Sequence, residues 1–277
     1  MDAAVKLQHG TGSLRTEKVA GLSSVTQARA NYPLKFLTPR CRGRAAWTYL
    51  STMGGGLVDG DRVEVTIRVT SQATSFVGTQ ASTKVYRAPS GKGCRQDLRA
   101  ILDDDATLVL LPDPVTCFAD SRYEQIQRFD LHESSNLVLL DWVTSGRWCS
   151  GERWDFSRYS SRTEVFVGGE PRVVDSVVLD PRDGDLKAMF RMGEFNCLAF
   201  VVVIGAQLET LTQSALESIG NQRVGGSFRV IESISPIVGG AVLRVLGMNV
   251  ECVGEVLRER LAAVTAILGE SPLQRKW

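Results

Sequence analysis

From Arg62 to Val69 the chain alternates without a slip, with Val63, Val65, Ile67 and Val69 on one side and Arg62, Glu64, Thr66 and Arg68 on the other. A period of two is the mark of a strand with one wet face. Shorter apolar runs at Thr107 to Leu111, Gln125 to Leu131, Leu137 to Val143, Glu164 to Val167 and Arg172 to Leu179 predict further strands. Clusters of Gly, Pro, Asp and Ser between them predict turns. Strands this closely spaced, with no helical period between them, predict a mainly β chain of stacked or coiled, sandwich-like sheets rather than alternating βαβ units.

The pattern changes after Asp180-Pro181-Arg182-Asp183-Gly184. This turn cluster is the expected place, near 180–185, for a subdomain boundary within a single domain spanning 1–277. Beyond it Leu198 to Ile204 reads as a buried strand. Leu208, Leu211, Ala215 and Leu216 then recur at helical spacing over Ala206 to Ile219, with Gly220 as a stop. A second helix is predicted over Asn249 to Leu268, with Val253, Val256, Leu257, Leu261 and Val264 on one face and Gly269 closing it. Two helices are thus expected in the C-terminal third.

Charge narrows the function. The 277 residues carry 32 Lys plus Arg against 31 Asp plus Glu, so no global field draws the chain to nucleic acid or an acidic membrane surface. The longest apolar run, Cys197 to Ala206, is about half the length that crosses a bilayer, and no charged-then-apolar signal pattern opens the chain. A soluble, cytoplasmic protein is the expectation. Six cysteines, at 41, 94, 117, 149, 197 and 252, form no Cys-x-x-Cys pair. That pattern argues against a zinc ribbon or redox dithiol and for reduced thiols that act as small buried apolar residues.

The usual catalytic patterns are missing from the sequence. Of the two histidines, His9 lies near the terminus and His132 reads as structural or surface, without the second His of a zincin motif. No Gly-x-Ser-x-Gly elbow occurs. The loop Gly54-Gly55-Gly56-Leu57-Val58-Asp59-Gly60-Asp61 lacks the Gly-Lys-Ser/Thr ending of a phosphate-cradling loop and precedes a strand rather than a helix. Gly91-Lys92-Gly93 is likewise incomplete. Asp103-Asp104-Asp105 lacks the glycine and later glutamate of a calcium loop, which leaves a solvated turn.

That glycine loop is followed by Thr79-Gln80-Ala81-Ser82-Thr83-Lys84-Val85-Tyr86-Arg87. The ordered pair resembles the UreD/UreH family of urease accessory proteins. Further matches to the same family are Tyr32-Pro33-Leu34-Lys35, Leu111-Pro112-Asp113-Pro114 with Phe118, Arg122-Tyr123, Gly146-Arg147 with Gly151-Glu152, and Pro272 with Arg275 and Trp277. The resemblance implies a β-helical fold with two helices, no catalytic residues, and a scaffold that joins a UreF-type partner and a UreG-type GTPase on apo-urease, as a dimer of heterocomplexes. It also implies a water-filled passage conducting Ni2+ in transit, with its carboxylates at Asp61, Asp141 and Asp175. Thr83, Lys84, Tyr86, Arg87, Arg147 and Glu152 fall in supporting or partner-interface motifs. Two departures are Asp59, where the family commonly has glycine, and Trp148-Cys149 inside the Gly-Arg-x-x-x-Gly-Glu motif, where Cys149 would add a soft ligand.

Carboxylates suit transit for a reason independent of the family. Imidazole and thiolate ligands bind late first-row metals tightly. Spaced oxygen ligands and water offset the cost of leaving bulk solvent while keeping each stop shallow. The plainer readings are that Asp61 caps a turn, Asp141 pairs with a nearby charge such as Lys84, Arg87 or Arg147, and Asp175 is surface. Asp141 interrupts the apolar run Leu137 to Val143, where a charge needs compensation. The competing function is a β-rich hydrolase or lyase whose pocket joins Asp61, Lys84 and Tyr86, which requires that the three converge.

Overall fold

The computed structural model describes residues 9–40, 43–220 and 229–273, apart from the side chains of 218–220. Cys41, Arg275 and Trp277 lie outside the described residues. The chain starts in a first sheet with the hairpin β1 (His9–Val19) and β2 (Leu22–Ala30), then crosses to a second sheet as β3 (Leu34–Leu37) and β4 (Ala46–Thr52). From there it winds between the two. β5 (Arg62–Val69) lies in the first sheet, β6 (Thr74–Thr79) and β7 (Thr83–Val85) in the second, and β8 (Cys94–Leu102) in the first. The next turns repeat the crossing with β9 (Thr107–Leu111) and β10 (Val115–Cys117), β11 (Arg122–Leu131), β12 (Asn136–Thr144) and β13 (Arg158–Val167).

Each turn of the coil lays its strand parallel to the previous one and in register. Arg62, Arg95, Glu124 and Ser160 stack at one level of the first sheet, and Ala46, Ser75, Leu108 and Leu137 at one level of the second. The result is a β-solenoid, as expected. β14 (Glu170–Leu179) then folds back antiparallel on β13. The second sheet is completed by β15 (Cys197–Ile204) and, after α1 (Glu209–Gly220), by β16 (Val230–Ile237) and β17 (Gly240–Gly247), all antiparallel.

The two sheets differ in how they meet water. The first has one wet face, and β5 alternates as its sequence predicts. The second is covered on both faces, so β9 is buried throughout and reads as an unbroken apolar run. On β12, Leu137, Leu139 and Val143 face the core between the sheets with Leu98, Phe129 and Tyr159. Val138, Leu140 and Trp142 face a second core with Trp47, Phe76 and Val109, roofed by the C-terminal helices.

Those helices are α2 (Val250–Arg260) and α3 (Val264–Leu268), so the described residues hold three helices rather than two. The predicted helix over Asn249 to Leu268 is interrupted. Ala262 donates to Glu259 and Val264 to Leu261, the tighter i to i+3 pattern, while Leu257, Leu261, Val264 and Leu268 all stay buried. Neither Gly nor Pro marks the break. The ends follow the sequence: Asn249 Oδ1 accepts from the Cys252 N–H at 2.8 Å, and Gly269 closes α3 at φ 77°. The earlier helix begins with a 3-10 turn at Ala206–Leu208 before α1. No described helix is long and apolar enough to cross a membrane.

Candidate functional site

The glycine loop and the Thr79–Arg87 block are two sides of one structure. Leu57 N–H donates to Lys84 O at 2.8 Å and Tyr86 N–H to Leu57 O at 2.9 Å, and the Leu57 side chain is fully buried. Gly56 is required by close approach, because a Cβ there would stand 2.6 Å from Lys84 O and 2.7 Å from the Tyr86 ring. Gly60, at φ 92°, supplies a backbone angle that L side chains rarely adopt. This turn delivers Asp61 to the start of β5.

Asp61 is 4% exposed, and its Oδ2 accepts from the Val58 N–H at 2.9 Å. It therefore does cap a turn. It also lines a cleft of about 700 Å³ with His9, Cys94 and Tyr123, rimmed by Arg62, Lys92 and Arg122. Burial raises its pKa, opposed by the Val58 hydrogen bond. Beside it Cys94 is pushed up to about 12 by burial, then by the charges of Asp61 and Asp59, so it is a thiol and not a thiolate. Asp59 organises the far lip, accepting from the backbone N–H groups of Ser90 (2.6 Å) and Gly93 (2.7 Å). Burial works against its charge, but these bonds and the charge of Lys92 outweigh it and lower its pKa.

Asp141 points into the space between the sheets, at an inward position of β12. Every other residue of that strand is buried, and Asp141 alone keeps some access to solvent. Its compensation is not one of the cations named from sequence. Ser161 on β13 donates its hydroxyl to Asp141 Oδ2 at 2.6 Å across the gap between the sheets. Gln125 Nε2 donates to Ser161 Oγ at 3.2 Å, and Tyr123 OH donates to Gln125 Oε1 at 3.0 Å. Tyr123 also lines the Asp61 cleft, so a row of buried polar groups links that cleft to Asp141. Burial raises the Asp141 pKa, with Ser161 and Gln125 opposing it and the charge of Asp175 adding to it.

Asp175 sits at an inward position of β14, opposite Thr163. Its partner comes from the other sheet, Arg244 Nη2 on β17 at 2.7 Å. The Arg244 guanidinium lies 5.3 Å from the centre of the Phe200 ring, and Phe200 stands in register between Asp141 and Arg244. Asp175 is thus an inter-sheet contact and not a plain surface residue.

The supporting residues divide. Thr83 and Lys84 line a smaller cavity of about 180 Å³ with Gln96, whose Oε1 accepts from Tyr123 OH at 3.4 Å. Tyr86 packs edge-on against Phe118 at 5.1 Å. Arg147 covers the same ring at 4.3 Å and pairs with Glu152, Nε to Oε2 3.0 Å. Arg87 is exposed, as is Cys149 next to the exposed Trp148. Lys84, Arg87 and Arg147 therefore do not compensate Asp141. Asp61 and Lys84 line different cavities, which leaves the Asp61/Lys84/Tyr86 pocket of the hydrolase reading without a shared space. His132 is exposed and bonds Ser134, as a surface histidine would.

Sequence reasoning missed Ser161, Gln125, Tyr123, Arg244 and His9. Tyr123 and Gln125 carried a signal: with Gln127, Phe129 and Leu131 they share one parity on β11, so the glutamines belong to its buried face. His9 begins β1 opposite Arg62 instead of lying in a loose end. Among the described residues no three His, Cys, Asp or Glu side chains converge to hold a metal.

This arrangement defines a β-solenoid with a polar seam through its interior and single carboxylates spaced along it. The profile of the UreD urease accessory protein family matches residues 8–277. A urease accessory protein UreD of Sorangium cellulosum is 43% identical over 271 residues, covering 97% of this chain and 84% of that protein. Urease accessory protein D of Oryza sativa subsp. japonica is 37% identical over 98% of this chain and 97% of its own length. The Arabidopsis thaliana urease accessory protein D is 36% identical over 95% and 99%. The chain belongs to the UreD family of urease accessory proteins.

Proposed function

We propose that this chain is a non-catalytic cytoplasmic scaffold of urease maturation, joining a UreF-type protein and a UreG-type GTPase on apo-urease and passing Ni2+ through its interior. The observation that carries the reading is Asp141, a carboxylate with residual solvent access inside a strand that is otherwise buried. A charge so placed has a cost in stability, and its only described hydrogen-bond donors are neutral groups, which leaves its negative charge available to a passing cation. Isolated oxygen ligands give shallow stops for a divalent ion. The relatives named as urease accessory proteins support a role in urease maturation.

The test is activation of apo-urease in a reconstituted complex. Size-exclusion chromatography after co-expression with a UreF-type protein should give a stable complex for wild type, Asp61→Ala and Asp141→Ala alike. Both variants should slow urease activation by about tenfold, equivalent to roughly 1.4 kcal/mol in the barrier. Failure to form the complex removes the scaffold reading. Folded, complexed variants with wild-type activation remove the conduit.

A further inference from the structure

We propose that Arg244 is a displaceable cationic latch on the interior path, a guanidinium that occupies Asp175 until an incoming Ni2+ takes its place. The proposal rests on the conduit reading above and adds to it a regulating residue. Asp141 and Asp175 lie on opposite sheets, close enough for the charge of one to raise the pKa of the other. Between them on the second sheet runs the row Asp141, Phe200, Arg244, one residue from each of β12, β15 and β17 in register. A cation leaving Asp141 in this direction meets the Phe200 ring and then the Arg244 guanidinium bound to Asp175.

The latch is built to let go. Arg244 bonds Asp175 through Nη2 at 2.7 Å, and its side chain is 50% exposed against 15% for Asp175. Ion pairs with one wet partner are weak, shifting an equilibrium only about a few-fold. Once displaced, the guanidinium retains its place over Phe200, since its attraction to the ring does not depend on the carboxylate. With no cargo present, the same charge covers the carboxylate and repels monovalent and divalent cations approaching from the solvent side. A divalent ion arriving from Asp141 brings twice the charge of the guanidinium and competes with it for the same oxygen.

The test compares Arg244→Gln, Arg244→Lys and Asp175→Asn in the full chain, using equilibrium dialysis against Ni2+ and the Ni2+ concentration for half-maximal urease activation. Removing the competing charge in Arg244→Gln should tighten Ni2+ binding and lower the half-point by about two- to fivefold, the scale of such a pair. Arg244→Lys keeps the charge and the fold but loses the planar stack, so it should lie between wild type and Arg244→Gln. Asp175→Asn breaks the same ion pair from the other side and should weaken binding and slow activation. A mere strut between the sheets predicts instead that Arg244→Gln and Asp175→Asn fail in the same direction, and that result overturns the latch. So does an unchanged Ni2+ half-point in both Arg244 variants while Asp141→Ala still slows activation. If Asp141→Ala and Asp175→Asn both leave activation untouched, the conduit itself falls and takes the latch with it.

Discussion

Asp141 was legible because a carboxylate stands out in an apolar run, whereas Ser161, which compensates it, looks like any serine of an alternating strand. Burial holds the Asp141 pKa above its ordinary value of 3.8, so the folded protein binds this proton more tightly than the unfolded chain does. The sign follows from linkage. Ionisation opposes folding, and the penalty is fully present above the folded pKa and fades as pH falls through it toward 3.8. Asp141→Asn, which keeps an acceptor for Ser161, should therefore be more stable than wild type in urea denaturation at pH 7. The gap should narrow on acidification and close below about pH 4, near the ordinary carboxylate pKa. A gap independent of pH would show that Asp141 is not held as a buried charge. The pairing of Asp175 with Arg244 had no sequence signal at all, since its partners are 69 residues apart on different sheets.

Elements were read well where a single period governs them and poorly where pairing does. β5 has the bounds its alternation predicts and β9 those of its apolar run. β7 and β10 are three residues each and exist because they pair with one another and, through β10, with β12. No pattern within three residues can announce that. The two sequence blocks that carry the family resemblance turn out to be hydrogen-bonded neighbours, which explains physically why they belong together. Gly56→Ala tests the joint: its new Cβ would overlap Lys84 O and the Tyr86 ring. Overpacking of this kind costs about 1 to 3 kcal/mol. A thermal melt should show the loss, and it should shrink when Tyr86→Ala is added, because part of the clash is with that ring. The C-terminal helix was predicted as one piece because its apolar positions keep helical spacing straight through the turn at 261–263.

At the scale of the whole molecule, the sequence marked strands but neither their direction nor which sheet each joins. The winding that makes the inner strands parallel arises from crossings between sheets, and these depend on contacts far apart in the chain. What could be read was the consequence of covering: runs such as Leu137 to Leu140 announce a sheet buried on both faces. The second core depends on the helices above it. Leu257→Ala on α2, fully buried there, should cost about 2 to 5 kcal/mol in chemical denaturation. It should leave the Asp141 seam, which lies on the other face of the same sheet, with unchanged Ni2+ binding. Coupled losses in both would mean that the two cores do not respond independently.

The last described helix closes against nearly the first strand of that core. Arg44 N–H donates to Leu268 O at 3.1 Å, and Gly43 approaches so near that a Cβ would stand 2.5 Å from the same oxygen. Trp47, Phe76 and Val109 share the second core with Val264 and Leu268, so that core is complete only once the last helix has docked. A nascent polypeptide halted before that point presents a sticky aromatic sheet to its surroundings.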